Sequence, residues 1–281
     1  MSSTVLRAGP GPELRPELHL EPRPEPRWAA PARAAALPLL LLVAWQLWAM
    51  TLPEVTRAPS PARVAAAFAG LTASGDLPVS LLQSLLRVAG GFSVALVLGI
   101  GLGLAMGTNR TVRAAIEPIV EAFRPVAPMA VLPIAILWFG TGTPASLSIV
   151  GYAAFFPLLL NTLHGVSQVD HRLLQAARTM GVSRSRILFK VVLPAALPGI
   201  LLGARLALGV AWTAIIAAEL AVGAKAGGGG SGGIGAMMFV FYAYSIDLNG
   251  IVVCMIVIGL VALAIDRLFR FAERRLTPWR A

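Results

Sequence analysis

The sequence predicts an all-α integral membrane protein, on the evidence of its composition and of where its charges lie. Of the 281 residues, 57% are hydrophobic and only 13% are charged, whereas soluble domains carry about a quarter charged residues. A surface with so few charges needs an apolar solvent, which is the lipid bilayer. Lys and Arg lie between apolar runs rather than on one face, so the net charge of +10 indicates membrane topology and not nucleic-acid binding.

Six apolar segments approach the ~20 residues that a helix needs to cross a bilayer. They are Ala34 to Leu52, Ser84 to Met106, Pro125 to Phe139, Ala145 to Leu163, Leu197 to Val222 and Leu248 to Leu268. The third is short and contains three prolines, which predicts a kinked or broken helix. The sequence therefore predicts six transmembrane helices.

The remaining segments divide the chain into four regions. Residues 1–33 alternate Pro, Glu and Arg and predict a disordered tail that is not a signal peptide. Residues 34–79 contain the first span and an external segment, in which Ser60 to Leu71 suits a short amphipathic surface helix. Residues 80–275 form the core, and residues 276–281 form a second tail.

Basic residues predict the orientation of the chain, because cytoplasmic loops gather Lys and Arg. If the N-terminus is cytoplasmic, the inside segments include residues 107–124, residues 164–196 and the C-terminus, all of which are rich in arginine. The outside loops then contain only Arg57, Arg63 and Lys225. We therefore expect both termini in the cytoplasm.

No catalytic, metal or nucleotide site is predicted. The only cysteine, Cys254, lies in an apolar run, and no HExxH pattern occurs. The stretch Gly223 to Gly235 resembles a phosphate-binding loop only in glycine content, since no Gly-Lys-Ser/Thr follows it. It predicts a flexible external loop, so we expect no cofactor in this chain.

The longest inside loop, residues 170–194, predicts a short helix. Asp170 suits its N-cap and Gly181 its end. One apolar stripe is expected from Leu173, Leu174, Ala177 and Met180. A second amphipathic turn follows from Ser183, and Pro194 is expected to end it before the fifth span. An apolar stripe beside positive charge suits a helix on the lipid surface and a protein-docking helix equally well.

The same loop carries a resemblance to a known family. Gln175-Ala176-Ala177, three residues, Gly181, nine residues and Val191-Val192-Leu193-Pro194 resemble the EAA loop of binding-protein-dependent ABC importer permeases. That pattern reads Glu-Ala-Ala, then Gly, then Ile-x-Leu-Pro at the same spacing. Gln175 and Val191 depart from it; Gln175 removes a charge but keeps an acceptor oxygen.

The resemblance extends over about residues 80–275, to the permeases of the nitrate/sulfonate/taurine class. Stretches that resemble this class include Arg124-Pro125-Val126-Ala127-Pro128, Trp138-Phe139-Gly140, Phe155-Phe156-Pro157 and Ala218-Glu219. It implies a MetI-like permease fold in a bacterial inner membrane and import of a small, anionic solute. It also implies three partners: a second copy of the permease, a cytoplasmic ATP-binding subunit that holds ATP and Mg²⁺, and an extracytoplasmic solute-binding protein.

By this resemblance, the cytoplasmic loop couples the permease to the ATPase. The residues expected to do so are Asp170, Gln175, Ala176, Ala177, Gly181, Leu193 and Pro194. Ala176 and Ala177 are small and allow close approach, and Gly181 allows a sharp turn. A rigid helix here would transmit the movement of the ATPase to the fourth and fifth spans.

Candidate residues of the translocation path are polar or aromatic side chains within the spans: Arg87, Trp138, Asn161, Arg205 and Glu219. Ionisable residues are costly in a membrane, which makes them functional candidates. Arg87 and Glu219 fall near the outer ends of their spans and suit a structural ion pair. Arg87 and Arg205 also suit an anionic group of the solute, such as a sulfonate. Gly99, Gly103 and Gly107 share one helix face and suit close helix packing.

Two other classes of membrane protein were weighed. A secondary transporter driven by an ion gradient usually shows paired halves or acidic residues at mid-membrane, and no clear repeat is present. A membrane enzyme needs converging nucleophile, base or metal ligands in its spans, and none is visible. The secondary transporter is the nearer alternative, and ATP dependence of uptake distinguishes it from a permease.

Overall fold

The computed structural model describes residues 29–51, 58–225 and 232–276, and within them every regular element is helical. The helices are α1 (Ala29–Thr51), α2 (Pro61–Ala73), α3 (Asp76–Thr108), α4 (Arg110–Phe123), α5 (Pro128–Phe139), α6 (Thr143–Ser167), α7 (His171–Thr179), α8 (Arg184–Ile187), α9 (Leu193–Lys225), α10 (Ile234–Val240) and α11 (Leu248–Leu276). Two π-helical turns, Leu188–Val192 and Phe241–Ser245, follow α8 and α10. Most of the two predicted tails lies outside the described residues.

The chain divides into two compact units, residues 1–48 and 49–281. The first unit contains most of α1, whose apolar part, Ala36–Thr51, is shorter than a full membrane span. The second unit contains all the other helices. Its first helix, α2, begins at the predicted place, where the Ser60 hydroxyl caps it by accepting the Arg63 N–H at 3.3 Å.

Four described stretches are long and apolar enough to cross a membrane: Asp76–Thr108, Thr143–Ser167, Arg184–Val222 and Leu248–Arg275. They contain the predicted second, fourth, fifth and sixth spans. A fifth candidate is the pair α4 and α5, whose axes are bent by 97° at the break between them. The six-span prediction is compatible with this count, and α5, with 12 residues, is too short to cross alone.

The bend between α4 and α5 confirms the prediction that the third span is kinked or broken. Pro128 disfavours a helical conformation in the residue before it, and Ala127 is extended, with φ −64° and ψ 137°. The Tyr152 hydroxyl of α6 donates to the carbonyl oxygens of Phe123 at 2.8 Å and Val126 at 3.3 Å. Tyr152 therefore satisfies backbone groups that the break leaves without a helical partner.

Helices α3, α6 and α9 form the centre of the second unit and meet at glycines. Along α3, an added Cβ would come within 2.6–2.8 Å of α6 side chains at five positions: Gly90, Gly91, Gly99, Gly103 and Gly107. The facing residues run from Leu147 to Val166 in the same order, so α3 and α6 are parallel. Gly165 of α6 similarly meets Gly199 of α9. The predicted glycine-mediated packing is confirmed.

The expectation that Pro194 ends the helix is wrong. A single helical run extends from Arg184 to Val222 through this proline. The π-helical turn Leu188–Val192 precedes it, and the Leu193 N–H donates to the Leu188 carbonyl, five residues back. Pro194 lacks an N–H and its ring crowds the carbonyl four residues before it. The wider π turn relieves this conflict without breaking the helix.

Candidate functional site

Helix α7 has both predicted ends. The Asp170 carboxylate accepts the Arg172 N–H at 2.8 Å and so caps the first turn. At the other end, the Gly181 N–H donates to the Arg178 carbonyl at 3.0 Å and the Val182 N–H donates to the Ala177 carbonyl at 3.1 Å. Gly181 has φ +72°, a left-handed conformation that glycine adopts without strain. The chain therefore turns sharply after α7.

The inner face of α7 holds the helix against the membrane helices. Ala177 is 6% exposed and belongs to a buried cluster with Val166, Ile187, Val192, Ala196 and Ile200. Leu174 packs on the same cluster. The cluster joins the end of α6, the short α8 and the start of α9. A displacement of α7 therefore acts directly on α6 and α9.

The prediction of one apolar stripe on α7 is wrong in detail. Leu174 and Ala177 face the cluster, whereas Leu173 is 55% exposed and Met180 is 74% exposed. Ala176 and Gln175 are also exposed. Since residues three, four and seven apart share a helix face, Leu173, Ala176 and Met180 form a second, outward stripe.

The loop that contains this outward stripe also exposes basic side chains. Arg172, Arg178, Arg184 and Arg186 are exposed on α7 and α8. Phe189 lies in the π-helical turn that follows α8, and its side chain is 64% exposed. Leu193 and Pro194, the last residues of the predicted motif, begin α9. The loop thus presents a small apolar ridge with positive charge beside it.

The predicted ion pair between Arg87 and Glu219 is confirmed. Nη1 of Arg87 lies 2.8 Å from Oε1 of Glu219, and the side chains are 5% and 1% exposed. The Ser84 hydroxyl, one turn before Arg87 on α3, lies 2.8 and 3.0 Å from the two carboxylate oxygens. Both charges are therefore held inside the bundle of α3 and α9, away from lipid.

This pair also binds the backbone that begins α10. Oε2 of Glu219 accepts the Gly235 N–H at 3.1 Å, and the Ser84 oxygen accepts the Ile234 N–H at 2.9 Å. Arg87 donates to the Gly232 carbonyl at 2.7 Å. The first N–H groups of a helix have no partner within it, and a membrane offers no water to satisfy them. Glu219 and Ser84 supply those partners.

Gly233 is required at this contact. It has φ +106°, and an added Cβ would overlap the carboxylate of Glu219. Arg87 and Glu219 were predicted from the sequence, whereas Ser84 and the segment 232–235 were not. Ser84 lies three residues before Arg87 and therefore on the same helix face. This spacing could have identified Ser84 from the sequence.

Arg205 is paired with an acidic residue that the sequence analysis did not single out. Its Nε and Nη2 atoms both lie 2.7 Å from Oδ1 of Asp266 on α11. Oδ2 of Asp266 lies 2.6 Å from Nη2 of Arg270, one turn further along α11. Asp266 lies inside the predicted sixth span, where a carboxylate requires a partner; that was the missed signal.

The two other predicted path residues lie apart from these ion pairs. Trp138 is 75% exposed near the end of α5. The Asn161 amide is half-buried and donates to the Pro157 carbonyl of its own helix at 2.8 Å. Arg87 and Glu219 thus form a buried pair, and Arg205 forms a partly exposed ion pair with Asp266. Trp138 is exposed, and Asn161 is bonded within its own helix. They do not form one cluster.

The sequence matches a known family of membrane proteins over most of its length. Residues 95–278 match the family described as binding-protein-dependent transport system inner membrane component. The chain belongs to this family. It is the permease subunit of an ABC importer, a multi-pass membrane protein, and the secondary-transporter alternative gains no support.

Relatives and solved structures agree with this membership. A putative ABC transporter permease of Methanocaldococcus jannaschii is 36% identical over 250 residues, which cover 87% of this permease and 91% of the relative. The taurine transport system permease protein of Escherichia coli is 36% identical over 251 residues, 86% of this chain and 87% of that one. The fold matches an inward-facing MetNI methionine ABC transporter at a TM-score of 0.60, with 20% identity and coverage of 72% and 96%.

Proposed function

We propose that this permease forms a homodimer that conducts a small oxyanion of the sulfonate, taurine or nitrate type across a bacterial inner membrane. The solute comes from an extracytoplasmic binding protein. A separate cytoplasmic subunit binds ATP and Mg²⁺ and hydrolyses the nucleotide, so this chain contributes no catalytic residue. The taurine permease of Escherichia coli, 36% identical to this chain, supports a sulfonate-like solute.

Both termini of the chain lie in the cytoplasm under this proposal. The arginines of α7 and α8, together with Arg270, Arg274 and Arg275 near the end of α11, support this orientation because basic residues favour the cytoplasmic side. It places α7 on the side where the ATPase resides. It places α2 and the segment 232–235 toward the binding protein.

The observation that carries the proposal is the division of α7 into two faces. Leu174 and Ala177 fix the helix to the ends of α6 and α9, and Leu173, Ala176 and Met180 are left for a partner. The stripe suits a groove in a protein, because Ala176 allows close approach and the flanking apolar side chains supply burial. Movement of the ATPase then displaces α7 as a rigid body.

The test is co-purification of the ATPase subunit with the permease. Ala176→Arg places a long cation on the outward stripe without entering the buried cluster, and is expected to abolish co-purification. Ala177 is unsuitable for this change, since an arginine there would disrupt packing. Leu174→Met, a swap of similar volume on the inner face, is the control and should retain the ATPase.

Gly181 provides a second, independent variant. Gly181→Val forces a β-branched residue into a left-handed conformation, so the turn after α7 should shift and the ATPase should be lost. Gly75→Val is the matched control, since Gly75 has φ +83° and equally open surroundings but lies before α3. Retention of the ATPase by Ala176→Arg and Gly181→Val would identify α7 as a lipid-surface helix instead.

A further inference from the structure

We infer that Arg205, Asp266 and Arg270 form a binding site for the phosphate of an anionic phospholipid. We call these three side chains the triad. Asp266 contacts both guanidinium groups, at 2.7 Å and 2.6 Å, but one carboxylate neutralises only one of them. The triad therefore keeps an excess positive charge. The inference stands beside the proposed function and does not depend on ATPase binding or on the solute.

The position of the triad suits a lipid headgroup. The apolar run of α11 ends at Ile265, directly before Asp266, so the carboxylate lies where the hydrocarbon region gives way to the interface. Arg205 reaches this level from within the apolar run of α9. Long basic side chains extend toward the interface in this way. Trp212 donates to the Ile258 carbonyl at 3.2 Å, which confirms that α9 and α11 run antiparallel here.

The triad is open to a ligand. The side chains of Arg205, Asp266 and Arg270 are 33%, 35% and 47% exposed, unlike the buried pair of Arg87 and Glu219. Each guanidinium has five N–H donors, and Asp266 engages only part of each set. The donors that remain are suited to phosphate oxygens, which arginine binds in a bidentate manner.

The adjoining surface of α11 suits an acyl chain. Leu263 and Leu260 are exposed two and three turns before Arg270, on the face that Arg270 shares. A phosphate at the triad would place its acyl chains along these leucines. A charged headgroup site that continues into an apolar stripe fits an amphiphile better than a free anion. Basic pockets between transmembrane helices are known to hold acidic headgroups.

Native mass spectrometry of the full-length permease tests the site. Delipidated protein is titrated with phosphatidylglycerol or phosphatidylcholine, and the lipid-bound fraction is measured for wild type and Arg270→Gln. Wild type should bind phosphatidylglycerol more tightly than phosphatidylcholine. Arg270→Gln should bind phosphatidylglycerol about fivefold more weakly than wild type, as expected for the loss of one basic residue near an anionic headgroup. Arg270→Lys keeps the charge and should retain most of the preference.

The matched control is Arg113→Gln. Arg113 forms an equally exposed pair with Glu117, four residues away on α4, so its removal changes the net charge equally but leaves the triad intact. Its lipid preference should equal that of wild type. The unfolding temperature of each variant is measured in phosphatidylcholine. Unfolding temperatures equal to that of wild type exclude misfolding as the cause of weaker lipid binding.

Two results would overturn the inference. In the first, Arg270→Gln prefers phosphatidylglycerol as strongly as wild type, or Arg113→Gln loses as much as Arg270→Gln. In the second, ethanesulfonate stabilises wild type but not Arg270→Gln in phosphatidylcholine, while phosphatidylglycerol has no selective effect. That second result would assign the triad to a soluble oxyanion and not to a lipid.

Discussion

The Gly235 N–H of α10 donates to the Glu219 carboxylate of α9 at 3.1 Å, while the same carboxylate is paired with Arg87 of α3 at 2.8 Å. One buried acidic residue thus links three helices. The link combines a salt bridge with a cap on backbone groups that have no access to water. Its removal should cost far more than the loss of a surface ion pair.

Glu219→Ala is expected to destabilise the permease by about 3–5 kcal/mol, because it leaves the buried charge of Arg87 uncompensated. Glu219→Gln should cost less, since it keeps an acceptor for Gly235 and Ser84. The measurement is denaturant unfolding in detergent micelles. The double variant Arg87→Met with Glu219→Leu should recover part of the loss; a loss in the double variant equal to the sum of the losses in Arg87→Met and Glu219→Leu alone would show that the charges are not coupled.

Gly103→Ala should destabilise the contact between α3 and α6, because the new Cβ would lie 2.7 Å from Cβ of Thr162. A cost of about 1–3 kcal/mol is typical of overpacking. Gly101→Ala is the control on the same helix, since nothing lies within 4 Å of its added Cβ. Alanine there should be neutral or stabilise the helix by up to about 1 kcal/mol. Equal unfolding temperatures for the two variants would contradict the close packing.

Gly233→Ala should detach the start of α10, because its Cβ would overlap the Glu219 carboxylate. We expect faster amide hydrogen exchange at Ile234 and Gly235, measured by mass spectrometry, as these N–H groups lose their acceptors. Gly259→Ala serves as the comparison, since its Cβ meets nothing within 4 Å. Unchanged exchange in Gly233→Ala would mean that the segment is held by other contacts.

Asp170→Ala should weaken α7 by about 1 kcal/mol, the usual value of an N-cap. Asp170→Asn keeps an acceptor oxygen and should behave like wild type. The readout is the dissociation constant of the ATPase subunit, because fraying of α7 adds an ordering cost to binding. If the two variants bind the ATPase equally tightly, the cap has no part in assembly.

Local sequence patterns were sufficient for the longer apolar helices, for the ends of α7 and for the glycine contacts of α3, but they did not predict α4 or α10. Asp170, Gly181 and Gly103 act through neighbours that lie a few residues away or recur at a fixed spacing, which a sequence reveals directly. The pairing of Arg87 with Glu219 was also predictable, since two opposite charges within apolar spans have few other ways to be stabilised.

Partners that depend on the assembled fold were not predictable in the same way. Asp266 was not predicted as the partner of Arg205, because the two residues lie 61 positions apart and meet only when α9 and α11 pack together. Pro194 was expected to end its helix because an interior proline disrupts the helical hydrogen bonds, but the π turn Leu188–Val192 lies directly before it and the helix continues. The division of α7 into two faces depends on the cluster around Val166 and Ile187, which forms only when α6, α8 and α9 meet.

The glycine contacts between α3, α6 and α9 bring backbones so close that these helices have little freedom to slide or bend separately. Tightly packed interfaces of this kind switch between a few discrete arrangements and do not deform gradually. We therefore expect the three helices to behave as one lever, with α7 at one end and the segment held by Glu219 at the other. A displacement of α7 by a partner would then also move the segment 232–235, on the opposite side of the membrane.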